Sequence, residues 1–306
     1  MEPEVKRLLE KQQYKIVGDN SAVKICTWTK KSLRDEDFCY KQKFYGIKSH
    51  LCCQIAPSAN FCQQSCLFCW RPIEHTEGIK MKEFDKPGDI IKGVIEGQRK
   101  LLSGFGGNEK VNKKKFKEAQ NPKQFAISLA GEPTLYPKLD ELVKELNNIG
   151  TTFVVSNGLN PEMLKKIRPT QLYVSLDAPN EEIYKKTCRP SIKDAWKKLM
   201  KSLSLLKKTE RSTIRITLVK GLNMIYPEQY AELIKKASPK FIELKAYMNV
   251  GYSKQRLDIK AMPIHLEVKE FSKIVAEKSG YKIVDEKKES RVVLLMKEDK
   301  DRIIKK

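Results

Sequence analysis

The 306-residue sequence predicts an α/β fold, an incomplete barrel of six strand-and-helix units, on three observations. Short apolar, β-branched runs alternate with stretches of helical spacing, Gly or Pro marks the junctions, and the runs number six. Alternation of this kind argues for parallel strands joined by helical crossovers, and six units leave the barrel open.

The run 51-LCCQIA is the first strand candidate, and residues 1–47 precede it as an extension. The second is 125-FAISLA, reached through the polar, basic insertion 104-GFGGNEKVNKKKFKEAQNPKQ. Then 138-KLDELVKELNNIG reads as a helix, 152-TFVVS as strand three and 171-QLYVSL as strand four. The pattern in 192-IKDAWKKLMKSLSLLKK gives a helix before strand five, 213-TIRITLV, and 228-EQYAELIKKA another before strand six, 241-FIELKAY. Residues 48–264 thus form the barrel, and 265–306 a C-terminal helix and a hairpin ending in 291-RVVLLM.

Sixty Lys and Arg against 38 Asp and Glu give a formal charge of +22, which fits a polyanionic partner and equally a solvated, charge-rich surface. The start of the chain lacks a signal-peptide pattern and no apolar run is long enough for a membrane span, so a cytoplasmic protein with no membrane partner is expected. In that reducing compartment, eight cysteines point to metal or catalysis before disulfides.

In 60-NFCQQSCLFCWRP-72, Cys62, Cys66 and Cys69 fall on the loop after strand one, where barrels of this class keep their chemistry. A structural zinc site takes four protein ligands, and His75 is the nearby candidate for a fourth. A four-iron cluster held by three thiolates instead keeps one iron open. The spacing Cys-x3-Cys-x2-Cys followed by an aromatic residue resembles the radical S-adenosylmethionine (radical SAM) signature, with Phe68 and Trp70 as candidate covers. The segment 128-SLAGEPTLYP resembles that superfamily's Gly-Gly-Glu-Pro motif, with Ala130 in place of the first Gly and Gly131, Glu132 and Pro133 matching. The resemblance implies a TIM-type radical SAM (β/α)6 partial barrel. It makes Gly131, Glu132 and Pro133, with Ser156, Asn157 and Asp177 on the next two loops, candidates for binding S-adenosylmethionine.

Cys26, Cys39 and Cys52 recur at intervals of thirteen residues, which chance burial explains poorly. They suggest a second three-thiolate cluster, with Cys53 the rival to Cys52 because strand neighbours face opposite ways. Cys188 reads as a core or surface thiol. The two trios flanking 37-DFCYKQKFYGI resemble the tRNA 4-demethylwyosine synthase family of wybutosine biosynthesis, in its single-domain archaeal form. That resemblance implies two 4Fe-4S clusters, S-adenosylmethionine, an external electron donor, and pyruvate condensed with N1-methylguanosine 37 of tRNA(Phe). It also implies that Lys41 holds pyruvate as an imine, with Lys43 the alternative. The RNA-contact candidates are Lys6, Arg7 and Lys11, then Lys113, Lys114, Lys115 and Lys117, then Arg189, and Glu243, Lys245 and Tyr247 alternate toward one face of strand six. A radical enzyme with another substrate and a zinc-stabilised nucleic-acid-binding protein are the competing classes.

Overall fold

The computed structural model describes residues 1–305. Helix α1 (Pro3–Lys11) leads into the short antiparallel pair β1 (Lys15–Val17) and β2 (Ser21–Lys24), followed by α2 (Thr27–Leu33) and α3 (Tyr40–Tyr45). The six expected parallel strands follow. β3 (Cys52–Ala56) crosses through α4 (Pro87–Leu102) and α5 (Lys113–Ala119) to β4 (Gln124–Ile127), and α6 (Leu139–Ile149) leads to β5 (Thr151–Ser156). Helix α7 (Pro161–Lys166) leads to β6 (Gln171–Ser175), α8 (Glu181–Cys188) and α9 (Ala195–Leu205) to β7 (Ser212–Leu218), and α10 (Pro227–Ala237) to β8 (Phe241–Ala246). Helix α11 (His265–Ser279) and the hairpin of β9 (Lys282–Lys287) and β10 (Val292–Met296) end the fold.

All ten strands share one sheet in the order β1-β2-β3-β4-β5-β6-β7-β8-β10-β9, parallel from β3 to β8 and antiparallel at both margins. The N-terminal extension therefore adds two strands beyond the six expected. Three and four residues long, β1 and β2 are too short to show a period.

The period of two in each strand divides the core. On the outer face Cys53, Ile55, Phe125, Ile127, Val154 and Leu172 pack against the helical layer. On the inner face Phe153, Val155, Tyr173 and Phe241, with Val292 and Leu294 of β10, enclose Tyr40, Phe44 and Tyr45 of α3. Thus α3 is a plug inside the barrel, closed at its C-terminus by Gly46 at φ +76°, whose N–H donates to the Gln42 carbonyl. Burial of each such aromatic is worth about 1.5–3 kcal/mol.

Candidate active site

The loop after β3 is braced from three sides. The N–H groups of Ser65 and Leu67 donate to the carbonyls of Cys188 (3.1 Å) and Thr187 (3.1 Å), which are free because α8 ends there. Buried Arg71 donates to the Asn60 carbonyl (3.3 Å), its side-chain oxygen (3.2 Å) and the Gln64 carbonyl (2.8 Å). Arg256 reaches in from beyond β8, bonding the Leu67 (3.2 Å), Cys69 and Arg71 carbonyls while pairing with Glu74 at 2.7 Å. The loop thereby presents Cys62, Cys66 and Cys69 together as free, half-buried thiols.

Burial pushes the Cys62 thiol up to about 12, and the Arg71 guanidinium opposes that rise. Thiols in such a place ionise only against a strong cation, which fits a trio made to ligate metal. Among the described residues no three His, Cys, Asp or Glu side chains lie close enough to share a single metal ion. His75 turns to Glu4, with Nδ1 at 3.7 Å, so it is not a fourth ligand. The Trp70 indole is exposed and donates to the Leu129 carbonyl at 3.1 Å.

The loop after β4 lies against this one. At Gly131, φ is +94° and an added Cβ would stand 2.0 Å from the Ser58 carbonyl oxygen, so no other residue fits. Glu132, next to it, is buried and accepts four hydrogen bonds: Thr134 N–H (3.1 Å), Thr134 O–H (2.6 Å), Ser156 O–H (2.7 Å) and Asn157 N–H (2.7 Å). Burial pushes its carboxyl up and these donors pull it back. Glu132 thereby knots the loops after β4 and β5, and Pro133 opens the short turn that follows. Asn157 is left with its amide 3.8 Å from Cys62 Sγ. Asp177, after β6, accepts from the Thr217 N–H at 2.7 Å and is pushed up to about 6 by burial. Arg215 faces the interior from β7, and its buried Nε has no hydrogen-bond partner among the described residues.

The second trio is also gathered. Cys26 and Cys39 sit at the N-caps of α2 and α3, and Cys52 opens β3 on the inner face, while Cys53 lies in the outer core. Even spacing in sequence thus arises from two helix starts and one strand start. Burial pushes all three thiols up, Cys39 to about 12, each is pushed further by a neighbour in the trio or opposed by Lys41 and Lys245 nearby. Lys41 projects into the barrel, with Nζ 4.6 Å from the Phe153 ring centre and 4.8 Å from that of Tyr173. Lys43 points the other way, to Asp285 (2.9 Å) and the Glu286 carbonyl (2.6 Å). Lys245, on the inner face of β8, donates to the Ser290 carbonyl at 2.9 Å, and burial lowers it to about 8.

Residues 57–234 match the model of the radical SAM superfamily and residues 236–297 that of the family described as wyosine base formation. The chain is 50% identical over 310 residues to the S-adenosyl-L-methionine-dependent tRNA 4-demethylwyosine synthase of Pyrococcus horikoshii, covering 98% of this chain and 91% of that protein. With the corresponding synthase of Methanocaldococcus jannaschii it shares 43% over 304 residues, 97% of each. The chain belongs to the tRNA 4-demethylwyosine synthase family. Its fold matches the solved structure described as TYW1 with a lysine-pyruvate adduct bound at a TM-score of 0.90 and 42% identity, covering 99% of this chain and 98% of that one. It is therefore a radical SAM enzyme, and the zinc-stabilised, non-catalytic reading is set aside.

Within this synthase fold the RNA-contact candidates separate. Lys115 is engaged by Asp35 and the Ser32 carbonyl (3.3 Å), and Lys113 by the Gly106 carbonyl (3.0 Å). Lys114, Lys117, Lys6, Arg7 and Lys11 are exposed, as is Arg189, held at φ +47° at the end of α8. Arg71 and Arg256 emerge only from the structure: Arg71 follows Trp70 without a pattern of its own, and Arg256 is 187 residues from Cys69. Cys188, read from the sequence as a core or surface thiol, is in the core and lies beside Cys66. No helix among the described residues is long and apolar enough to cross a membrane.

Proposed function

We propose that this synthase condenses pyruvate with N1-methylguanosine 37 of tRNA(Phe) to form the tricyclic base 4-demethylwyosine, using two 4Fe-4S clusters, S-adenosylmethionine and an external electron donor in the cytoplasm. The observation that carries the pyruvate step is the placement of Lys41, inside the barrel and beside the second cysteine trio. A relative of 42% identity has been solved with a lysine-pyruvate adduct, which supports the same chemistry here.

Cys62, Cys66 and Cys69 hold one cluster and Cys26, Cys39 and Cys52 the other, the latter brought to the barrel mainly by residues 1–47. Cys62, Cys66 and Cys69 would hold the cluster at which S-adenosylmethionine binds, and that pair would supply the one-electron chemistry that removes hydrogen from the N1-methyl group. Gly131 allows the loop after β4 to approach, and Glu132 fixes Ser156 and Asn157 as donors at the barrel mouth. The Asp177 carboxylate accepts a ribose hydroxyl, and the unpartnered Arg215 cation holds a carboxylate.

The Lys41 amine attacks the C2 carbonyl of pyruvate, and loss of water leaves a C=N bond between Nζ and C2. The N1-methyl carbon, now short of one hydrogen atom, joins C2; the bond from C2 to the carboxylate carbon breaks, the odd electron leaving with that fragment for the one-electron acceptor that the second trio would hold; and the exocyclic amine of guanine adds to C2 in place of Nζ, freeing Lys41. Lys114, Lys117 and Arg189 contact phosphates of the RNA, and Lys113 and Lys115 flank them.

The test is borohydride reduction with labelled pyruvate followed by peptide mapping. Label on the Lys41 peptide, lost in Lys41→Ala and kept in Lys43→Ala, is expected. Label retained by Lys41→Ala would refute the assignment.

A further inference from the structure

One buried cluster has no part in the chemistry above. Glu243, fully buried on the inner face of β8, accepts three phenolic O–H groups: Tyr45 to Oε1 at 2.7 Å, Tyr173 to Oε1 at 3.1 Å and Tyr40 to Oε2 at 2.9 Å. Two of these phenols belong to α3 and the third to β6. The tie continues outward: the Gln171 amide donates to the Tyr173 hydroxyl at 3.0 Å and to Thr213 at 2.9 Å, and Arg211 donates to Gln171 at 3.1 Å.

Helix α3 is six residues long, shorter than two turns, so it has little stability of its own. Its contacts with Phe241, Leu294 and Met296 are apolar and carry no direction. Hydrogen bonds to a carboxyl oxygen are directional, and two from one short helix, Tyr40 at 2.9 Å and Tyr45 at 2.7 Å, fix its rotation and its depth together. What α3 carries is specific: Cys39 at its N-cap and Lys41 on its first turn. A rotation by one residue, about 100°, would carry Lys41 away from the rings of Phe153 and Tyr173. Tyr173 takes part in both arrangements, since its ring lies under Lys41 Nζ at 4.8 Å and its hydroxyl is bound by Glu243.

We infer that Glu243 is a positioning residue, which through Tyr40, Tyr45 and Tyr173 sets the rotation and depth of α3 and so aims Lys41 and Cys39 into the barrel. The inference rests on Lys41 as the pyruvate-bearing residue. It assigns no role to Glu243 in cleaving S-adenosylmethionine, whose candidate contacts lie on the loops after β3 to β6.

The experiment compares Glu243→Gln and Tyr40→Phe with wild type, each as the reconstituted holoenzyme, by two readouts. One is the initial rate of borohydride trapping of pyruvate at Lys41, mapped by peptide mass; the other is dithionite-driven release of 5′-deoxyadenosine. In Glu243→Gln the amide nitrogen meets a phenol as a second donor, so trapping at Lys41 is expected to fall at least tenfold while 5′-deoxyadenosine release stays within twofold. Tyr40→Phe, which removes a single bond, is expected to lower trapping by about threefold, one hydrogen bond's worth. Trapping at the wild-type rate in Glu243→Gln would overturn the assignment, as would an equal loss of both readouts in both variants, which would mark a general fold defect. Absence of trapping in the wild type would instead overturn the Lys41 reading itself and the inference with it.

Discussion

Replacing Gly131 by Ala tests the contact between the loops after β3 and β4. The added Cβ would meet two backbone oxygens, Ser58 at 2.0 Å and Phe61 at 2.8 Å, neither of which can swing aside. Restoring the ordinary contact that begins at 3.4 Å requires a retreat of 1.4 Å from Ser58. Such a retreat breaks the 2.7 Å bond from the Glu132 N–H to the Phe61 carbonyl and the 2.7 Å bond from the Ser58 hydroxyl to the Glu132 carbonyl. Two lost hydrogen bonds cost about 2 kcal/mol, and an Ala held near φ +94° adds roughly 1–3 kcal/mol. The total, roughly 3–5 kcal/mol, corresponds to a fall in Tm of roughly 5–8 °C for a chain of this length. Because the retreat also displaces the loop that carries Cys62, affinity for S-adenosylmethionine is expected to fall at least tenfold. Differential scanning calorimetry and equilibrium binding on Gly131→Ala measure both, with Gly104→Ala as control, since a Cβ there meets nothing within 4 Å. A Gly131→Ala protein with a Tm within about 2 °C of wild type and unchanged affinity would refute the reasoning.

Three further outcomes follow from the same geometry. Burial holds the Asp177 carboxyl at about 6, above its unfolded value of about 3.9, so between those values the native protein binds more protons than the unfolded chain and loses stability as pH rises. Asp177→Asn should escape that loss, becoming more stable relative to wild type by roughly 2 kcal/mol between pH 4 and pH 7; a pH-independent difference in Tm would contradict this. Cys52→Ser should lower the iron content of the reconstituted enzyme while Cys53→Ser leaves it unchanged, and metal analysis showing the reverse would move the ligand to the outer face. For RNA, Lys114→Ala should reduce the slope of log K against log salt by about 1, whereas Lys115→Ala, whose ammonium is engaged by Asp35, should leave it near wild type; equal slopes in the two variants would reject the distinction.

The six parallel strands were legible because strands buried on both faces read as unbroken β-branched runs; all of Thr151–Ser156 is buried. The first cysteine trio was legible because its three members share one loop. The bracing was not. Arg256 reaches Cys69 from 187 residues away, and Glu243 finds Tyr40 across 203, separations that leave no local pattern. Period two offered Cys52 and Cys53 as alternatives, and the structure separates them by placing Cys53 with Ile55 and Phe125 in the outer layer. The lysines Lys41, Lys43, Lys113, Lys114 and Lys115 looked alike as residues. Aromatic rings beneath Lys41, Asp285 beside Lys43 and Asp35 beside Lys115 now distinguish them.

The most direct measurement is anaerobic incubation of the reconstituted protein with tRNA(Phe) bearing N1-methylguanosine 37, S-adenosylmethionine, labelled pyruvate and dithionite, with nucleosides read by mass. The account predicts a tricyclic nucleoside carrying label from pyruvate, formed together with 5′-deoxyadenosine and absent with Lys41→Ala. Release of 5′-deoxyadenosine with the N1-methylguanosine unchanged would contradict it.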